Sequence, residues 1–80
     1  MKVRVLFFAS LREKAGTGAA EEEVAAGATV ADLWERIKSR PGFEGTTRAP
    51  GYAVNGEWCG GTRQLQAGDE VALLPPVSGG

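Results

Sequence analysis

The feature that most constrains the fold is a single amphipathic helical segment in a chain of only 80 residues. Thr29 is a favourable helix N-cap, and Asp32 follows in the first turn, where a carboxylate complements the helix dipole. Apolar side chains then recur at i, i+3, i+4 and i+7 and form one stripe: Val30, Leu33, Trp34 and Ile37. Pro41-Gly42 ends the segment. One such stripe needs one sheet face to cover it, so the remaining residues must supply a single sheet and one small core.

Five segments around this helix have the character of strands. They are Lys2–Phe8, Glu21–Val24, Tyr52–Val54, Glu57–Cys59 and Glu70–Leu74. Asn55-Gly56 is a strong signal for a two-residue hairpin between the third and fourth segments. Pro75 ends the fifth segment because proline cannot donate to a sheet ladder. A short helical turn is expected at Ser10–Lys14, and the acidic run Glu21–Glu23 is expected to be a solvated strand face.

The order strand, strand, helix, hairpin, strand predicts an α+β fold of the β-grasp (ubiquitin-like) type. In this roll, a mixed sheet of four or five strands packs on one main helix, and the first and last strands lie parallel in the sheet centre. The predicted domain covers residues 1–75, and residues 76–80 form a flexible C-terminal Gly-Gly tail.

Alternation along the first and last strands separates two faces. Val3, Val5 and Phe7 are expected to meet the helix, together with Val71 and Leu73. The opposite face carries Phe8, Leu6 and Leu74, which we interpret as a patch for docking a partner, since a one-sided roll leaves that face open. Trp58 is a candidate extension of this patch. The alternative is a partly covered structural face.

Composition excludes several kinds of chemistry. The chain has no histidine and a single cysteine, Cys59, which rules out His-based catalysis, an internal disulfide and the common zinc sites. The net charge of -1 gives no support to a nucleic-acid or membrane-surface partner. No apolar run is long enough to span a bilayer and no signal peptide is recognisable, so we expect a cytoplasmic protein. Arg12 and Lys14 are expected on the surface near the end of the first strand, available to acidic residues of a partner.

The last six residues, Pro75-Pro76-Val77-Ser78-Gly79-Gly80, are better suited to chemistry than to packing. The two prolines favour an extended rod, and the two glycines lose much backbone entropy on ordering. The α-carboxylate of Gly80 has no side chain beside it, so a narrow active site can admit it. We therefore predict that the carboxyl end is the functional group.

Four segments resemble the small subunit of molybdopterin synthase, within the ubiquitin-like sulfur-carrier family. They are Val5–Ala9, Ala53–Asn55, Gly68–Ala72 and, most specifically, Pro75–Gly80. The resemblance implies that Gly80 is adenylated and then converted to a thiocarboxylate, and that Gly79, Ser78, Val77, Pro76 and Pro75 thread into a partner.

The resemblance also implies the partners. A ubiquitin-activating-type adenylyltransferase consumes ATP, a sulfur donor supplies sulfur, and the large synthase subunit uses it to convert cyclic pyranopterin monophosphate in molybdenum cofactor biosynthesis. The chain itself is then a non-catalytic sulfur donor that binds no cofactor, within a complex of two small and two large subunits. Three alternatives stay open: a carrier for thiamin synthesis or tRNA thiolation, a ubiquitin-like protein modifier, and a simple binding module.

Overall fold

The structure is a computed structural model that describes residues 1–46 and 48–76. Its elements in chain order are β1 (Lys2–Phe7), α1 (Ala9–Ala15), β2 (Ala19–Glu23), α2 (Val30–Lys38), β3 (Gly51–Val54), β4 (Glu57–Cys59) and β5 (Glu70–Leu74). The strands form one sheet in the order β2-β1-β5-β3-β4. β1 and β5 are parallel neighbours, whereas the other three pairs are antiparallel. The predicted mixed sheet, with its terminal strands side by side, is confirmed.

Helix α2 begins where the sequence predicts. The Thr29 hydroxyl accepts a hydrogen bond from the Asp32 amide at 3.2 Å, and the Asp32 carboxylate accepts one from the Thr29 amide at 2.9 Å. This reciprocal arrangement satisfies two amides that a helix start otherwise leaves without partners. The predicted apolar stripe of α2 is buried against the inner face of the sheet. The inward residues of β1 and β5, which form part of that face, are buried as well. The core of the roll therefore lies between α2 and this face.

The first strand ends one residue earlier than predicted. Phe8 has left the ladder and is the N-cap of α1, with an extended backbone (φ -118°, ψ 150°). Helix α1 is correspondingly longer than the predicted turn at Ser10–Lys14, and Leu11 anchors it in the core. The chain thus turns sharply at the end of β1, beside the point where β5 ends.

The prediction that Glu21–Glu23 is a solvated face is wrong for Glu22. Strand alternation turns Glu22 inward, opposite Val3 in the ladder, and only 8% of the residue is exposed. Both terminal nitrogens of Arg40 donate hydrogen bonds to the Glu22 carboxylate, and one of them lies 2.7 Å from Oε2. This hydrogen bonding lowers the pKa of Glu22 and raises the pKa of Arg40. The pair therefore keeps a charged carboxylate at the edge of the core.

Candidate functional site

The chain leaves the domain from the centre of the sheet. Strand β5 lies between β1 and β3, and its last two residues pair with Phe7 and Gly51. Pro75 is half-buried and Pro76 is exposed. Because Pro75 has no N–H, the ladder stops there. We call Pro75 and Pro76 the tail root.

Most of the residues predicted to carry the chemistry follow the tail root. Val77, Ser78, Gly79 and Gly80 lie outside the residues that the structure describes. Their roles, with Gly80 as the reactive terminus, stay predictions. What the structure does describe is the surface around the point from which they leave.

The sheet has an outer face, on the side away from α2, that bears a row of apolar side chains. Leu6, Ala72, Ala53 and Trp58 are successive partners across β1, β5, β3 and β4. Leu74 follows Ala72 on the same side of β5, and the extended backbone of Phe8 continues the alternation of β1 to that side. We define these six residues as the outer sheet face. It brings together all three predicted docking residues and Trp58.

Exposure separates the outer sheet face from the core. Trp58 is 71% exposed and Phe8 is 43% exposed, whereas Leu73, the neighbour of Leu74 in sequence, is fully buried. Leu6 and Leu74 are half-buried. Large exposed aromatic side chains on a continuous apolar surface are typical of a contact surface for another protein. The docking role of Phe8, Leu6 and Leu74 stays a prediction, but their placement on one face is observed.

The ring of Trp58 lies over Gly51 in β3, where no side chain occupies the space. A Cβ placed on Gly51 would lie 3.1 Å from Cζ3 of this ring, so a side chain there would push the ring aside by a few tenths of an ångström. Gly51 is also the ladder partner of Leu74. The indole therefore lies beside Gly51, whose ladder partner Leu74 directly precedes the tail root.

A groove beside the tail root was not predicted from the sequence. It has a volume of about 220 Å³, and its walls come from α1, from the loop before β3 and from the tail root. Lys14 and Arg48 contribute the cationic side chains of these walls. Lys14 was expected on the surface and is half-buried; Arg12 is exposed, as expected. No local pattern marks Arg48, which reaches the groove only through the fold.

Other kinds of site find little support. Within residues 1–46 and 48–76 there is no group of three or more His, Cys, Asp or Glu side chains placed to hold a metal ion. None of the described helices has the length and apolar character required to cross a bilayer.

Burial raises the pKa of Tyr52, which packs in the core with its hydroxyl protonated at neutral pH.

Comparison with known proteins agrees with the sequence resemblance. The molybdopterin synthase sulfur carrier subunit of Chlamydomonas reinhardtii is 36% identical over 83 residues that cover all of both chains. The human protein of the same name is 35% identical, covering 99% of this chain and 94% of the relative. The likeness therefore extends through the residues that the structure leaves undescribed.

Solved structures with the same fold include two of particular interest. SAMP1 from Haloferax volcanii, a small archaeal modifier protein, superposes with a TM-score of 0.83 and is 31% identical over the whole of both chains. A chain in the complex of subunits 1 and 2 of the molybdopterin-converting factor from Helicobacter pylori gives 0.70 at 25% identity, again over both full lengths. The ubiquitin-like β-grasp fold is thus confirmed. The ThiS family model matches residues 5–80, and the chain belongs to the ThiS family.

Proposed function

We propose that this chain is the sulfur carrier and small subunit of a molybdopterin synthase, with the terminal carboxyl of Gly80 as its reactive group. The observation that carries the proposal is the full-length similarity to sulfur carrier subunits of that enzyme. The outer sheet face and the tail root support it, because they offer a docking surface beside the point where the tail leaves.

The proposed chemistry requires activation before sulfur can enter. A carboxylate is a poor electrophile, so the adenylyltransferase joins it to AMP from ATP and releases pyrophosphate. Hydrosulfide supplied by the donor then attacks the acyl carbon, AMP leaves with its bonding electron pair, a proton is lost from sulfur, and a thiocarboxylate remains. After the sulfur passes to cyclic pyranopterin monophosphate in the large subunit, water restores the carboxylate. No step requires a base or a metal from this chain.

The assembly and the setting follow from the same proposal. The large subunit receives the tail, and two small and two large subunits form the complex. ATP is consumed by the activating partner, so the carrier holds no cofactor of its own. We place these reactions in the cytoplasm.

The test is reconstitution with the cognate adenylyltransferase, ATP and a sulfur donor, followed by intact-mass measurement. The wild-type chain should gain the mass difference between one sulfur and one oxygen atom. A variant lacking Gly79 and Gly80 should gain nothing and should yield no molybdopterin with the large subunit, yet it should unfold at the wild-type temperature. Gly60→Ala is a matched control, because a Cβ at Gly60 meets no atom within 4 Å. Normal molybdopterin formation by the truncated chain would contradict the proposal.

Protein modification is the second candidate, and the similarity to SAMP1 is the observation that favours it. In that case the activated Gly80 carboxyl forms isopeptide bonds with lysine side chains. A ladder of larger conjugates in lysate that disappears when Gly80 is deleted would identify this activity. Sulfur delivery to thiamin synthesis or tRNA is distinguished by replacing cyclic pyranopterin monophosphate with those acceptors in the same assay.

A further inference from the structure

Beside the tail root, the loop before β3 packs closely against α1. Gly42 adopts φ +99°, and a Cβ on it would lie only 2.5 Å from the carbonyl oxygen of Lys14. The loop before β3 therefore packs with its backbone directly against the end of α1, an approach that only glycine permits. Leu11, which is buried in the core, lies in the groove beside the tail root.

The charge in this groove is not balanced by its own surroundings. No carboxylate of the described residues lies within 4 Å of Lys14 or Arg48. The nearby Glu44 carboxylate accepts a hydrogen bond from the Gly42 amide at 2.7 Å, so it is engaged in the loop. Two cationic residues with no carboxylate of the described residues within 4 Å therefore line a space that can accept an anion.

The size of the groove decides which kind of anion it suits. Its volume of about 220 Å³ is below the range of about 300–1,000 Å³ that is usual for small-molecule and cofactor sites. A nucleotide is too large for it, whereas an acidic side chain on a protein surface fits. Because Pro75 and Pro76 form part of the wall, a protein that draws in the tail must approach this groove.

We propose that Lys14 and Arg48 form a docking site for a carboxylate side chain on the large subunit of the synthase. The inference rests on the proposed function and identifies the chemistry that recognises the tail root. The apolar outer sheet face and this cationic groove then contact the same partner on two sides of the departing chain. Opposite charges at the margin of an interface mainly accelerate association and fix orientation.

The direct test is zero-length cross-linking with a carbodiimide. The reagent activates a carboxylate, the Lys14 amine attacks the acyl carbon, and a urea leaves, which joins the two chains by an amide bond with net loss of water. The wild-type chain is mixed separately with its large subunit and with its adenylyltransferase, and cross-linked peptides are identified by mass spectrometry. We expect a bond from Lys14 to an Asp or Glu of the large subunit. Its absence from that complex while other lysines cross-link, or a Lys14 bond formed only with the adenylyltransferase, would overturn the proposal.

The kinetic test compares two charge-reversed pairs. Lys14→Glu/Arg48→Glu should slow association by about tenfold at low ionic strength, and the difference should disappear in about 1 M salt, where charges are screened within about 3 Å. Lys2→Glu/Lys38→Glu changes the net charge equally at residues that do not line the groove, and it should have a smaller effect. If both pairs slow association equally, the effect comes from general electrostatic steering by the net charge, and the specific docking site is refuted.

Two further measurements keep the outcome interpretable. If the reversed pair unfolds, Lys14→Gln/Arg48→Gln replaces it and should slow association in the same direction. Mass measurement of the wild-type chain after sulfur loading is run in parallel. If sulfur loading is normal and neither groove variant slows association, the docking site at Lys14 and Arg48 is refuted and the proposed function still stands. If sulfur loading fails, the proposed function itself is refuted.

Discussion

Replacing Trp58 by Ala should weaken docking strongly while leaving the fold intact. The side chain is 71% exposed, lies over Gly51, and belongs to the outer sheet face beside the tail root. Trp34 offers a matched contrast, because the same residue type is 3% exposed in α2 and packs edge-on against Phe43 at a centroid distance of 6.3 Å. The two substitutions should therefore separate binding from stability.

The magnitude follows from the exposed area. A tryptophan buries about 150–250 Å² when fully covered. A partner that covers the exposed share of Trp58 removes about 110–180 Å² from water, which at about 25 cal/mol/Å² contributes about 2.5–4.5 kcal/mol. Binding hot spots of this kind cost at least about 2 kcal/mol when truncated. We expect Trp58→Ala to raise the Kd by roughly 70- to 2,000-fold.

The effect on stability should be much smaller. The buried share of Trp58 corresponds to about 1–2 kcal/mol of unfolding free energy by the same area rule. Trp34→Ala should instead cost about 3–5 kcal/mol, as is usual for a large core aromatic.

Isothermal titration against the large subunit gives the Kd, and urea unfolding followed by circular dichroism gives the stability. A Trp58→Ala chain that binds within threefold of wild type, or that loses as much stability as Trp34→Ala, would refute the assignment of this face.

Two further predictions concern the sheet and its buried ion pair. Leu74→Glu should weaken docking with little loss of stability, whereas Leu73→Glu, one residue earlier and fully buried, should unfold the chain; equal unfolding of both by thermal denaturation would place Leu74 on the wrong face. The hydrogen bond from Arg40 holds the pKa of Glu22 below its ordinary 4.5, so its stabilising effect is present above that value and is lost as the pH falls through the lower, folded value. Arg40→Met should cost about 1–3 kcal/mol at pH 7 and reduce the loss of stability between pH 7 and pH 3, measured by urea titration; an unchanged pH dependence would contradict this.

The parts of the fold that local patterns encode were predicted correctly. The apolar stripe of α2 follows the helical period, and its cap residues are adjacent in sequence, so both signals are complete within one segment. The hairpin at Asn55-Gly56 is equally local, and Asn55 adopts the positive φ (51°) that such turns require. The central parallel pair followed from the need to cover one helix with one sheet. These features depend on short-range geometry and on burial, which a single sequence expresses directly.

The features that were missed depend on contacts between distant segments. Glu22 sits in a run of three like charges, which hides the strand alternation that turns it inward. Its partner Arg40 lies 18 residues away, beyond the end of α2, and nothing nearby marks the pairing. The groove has the same origin, since Lys14 and Arg48 line it together only because the loop that contains Gly42 packs against the end of α1. A single sequence specifies such pairs only through the complete fold.

The arrangement around the tail root suits the proposed function, in which the carrier binds two enzymes in turn and leaves each of them. On the outer sheet face, much of the apolar area belongs to half-buried residues such as Leu6 and Ala72, and only Phe8 and Trp58 are strongly exposed. We expect the binding affinity to come mainly from these two side chains, which a bound partner would bury. Dissociation rates depend chiefly on such anchors, so a small number of them limits the residence time of the complex. Charges at Lys14 and Arg48 act mainly on the encounter rate. Fast association and limited residence time are then encoded by separate residues, so each can be changed without altering the carboxyl terminus that both enzymes use.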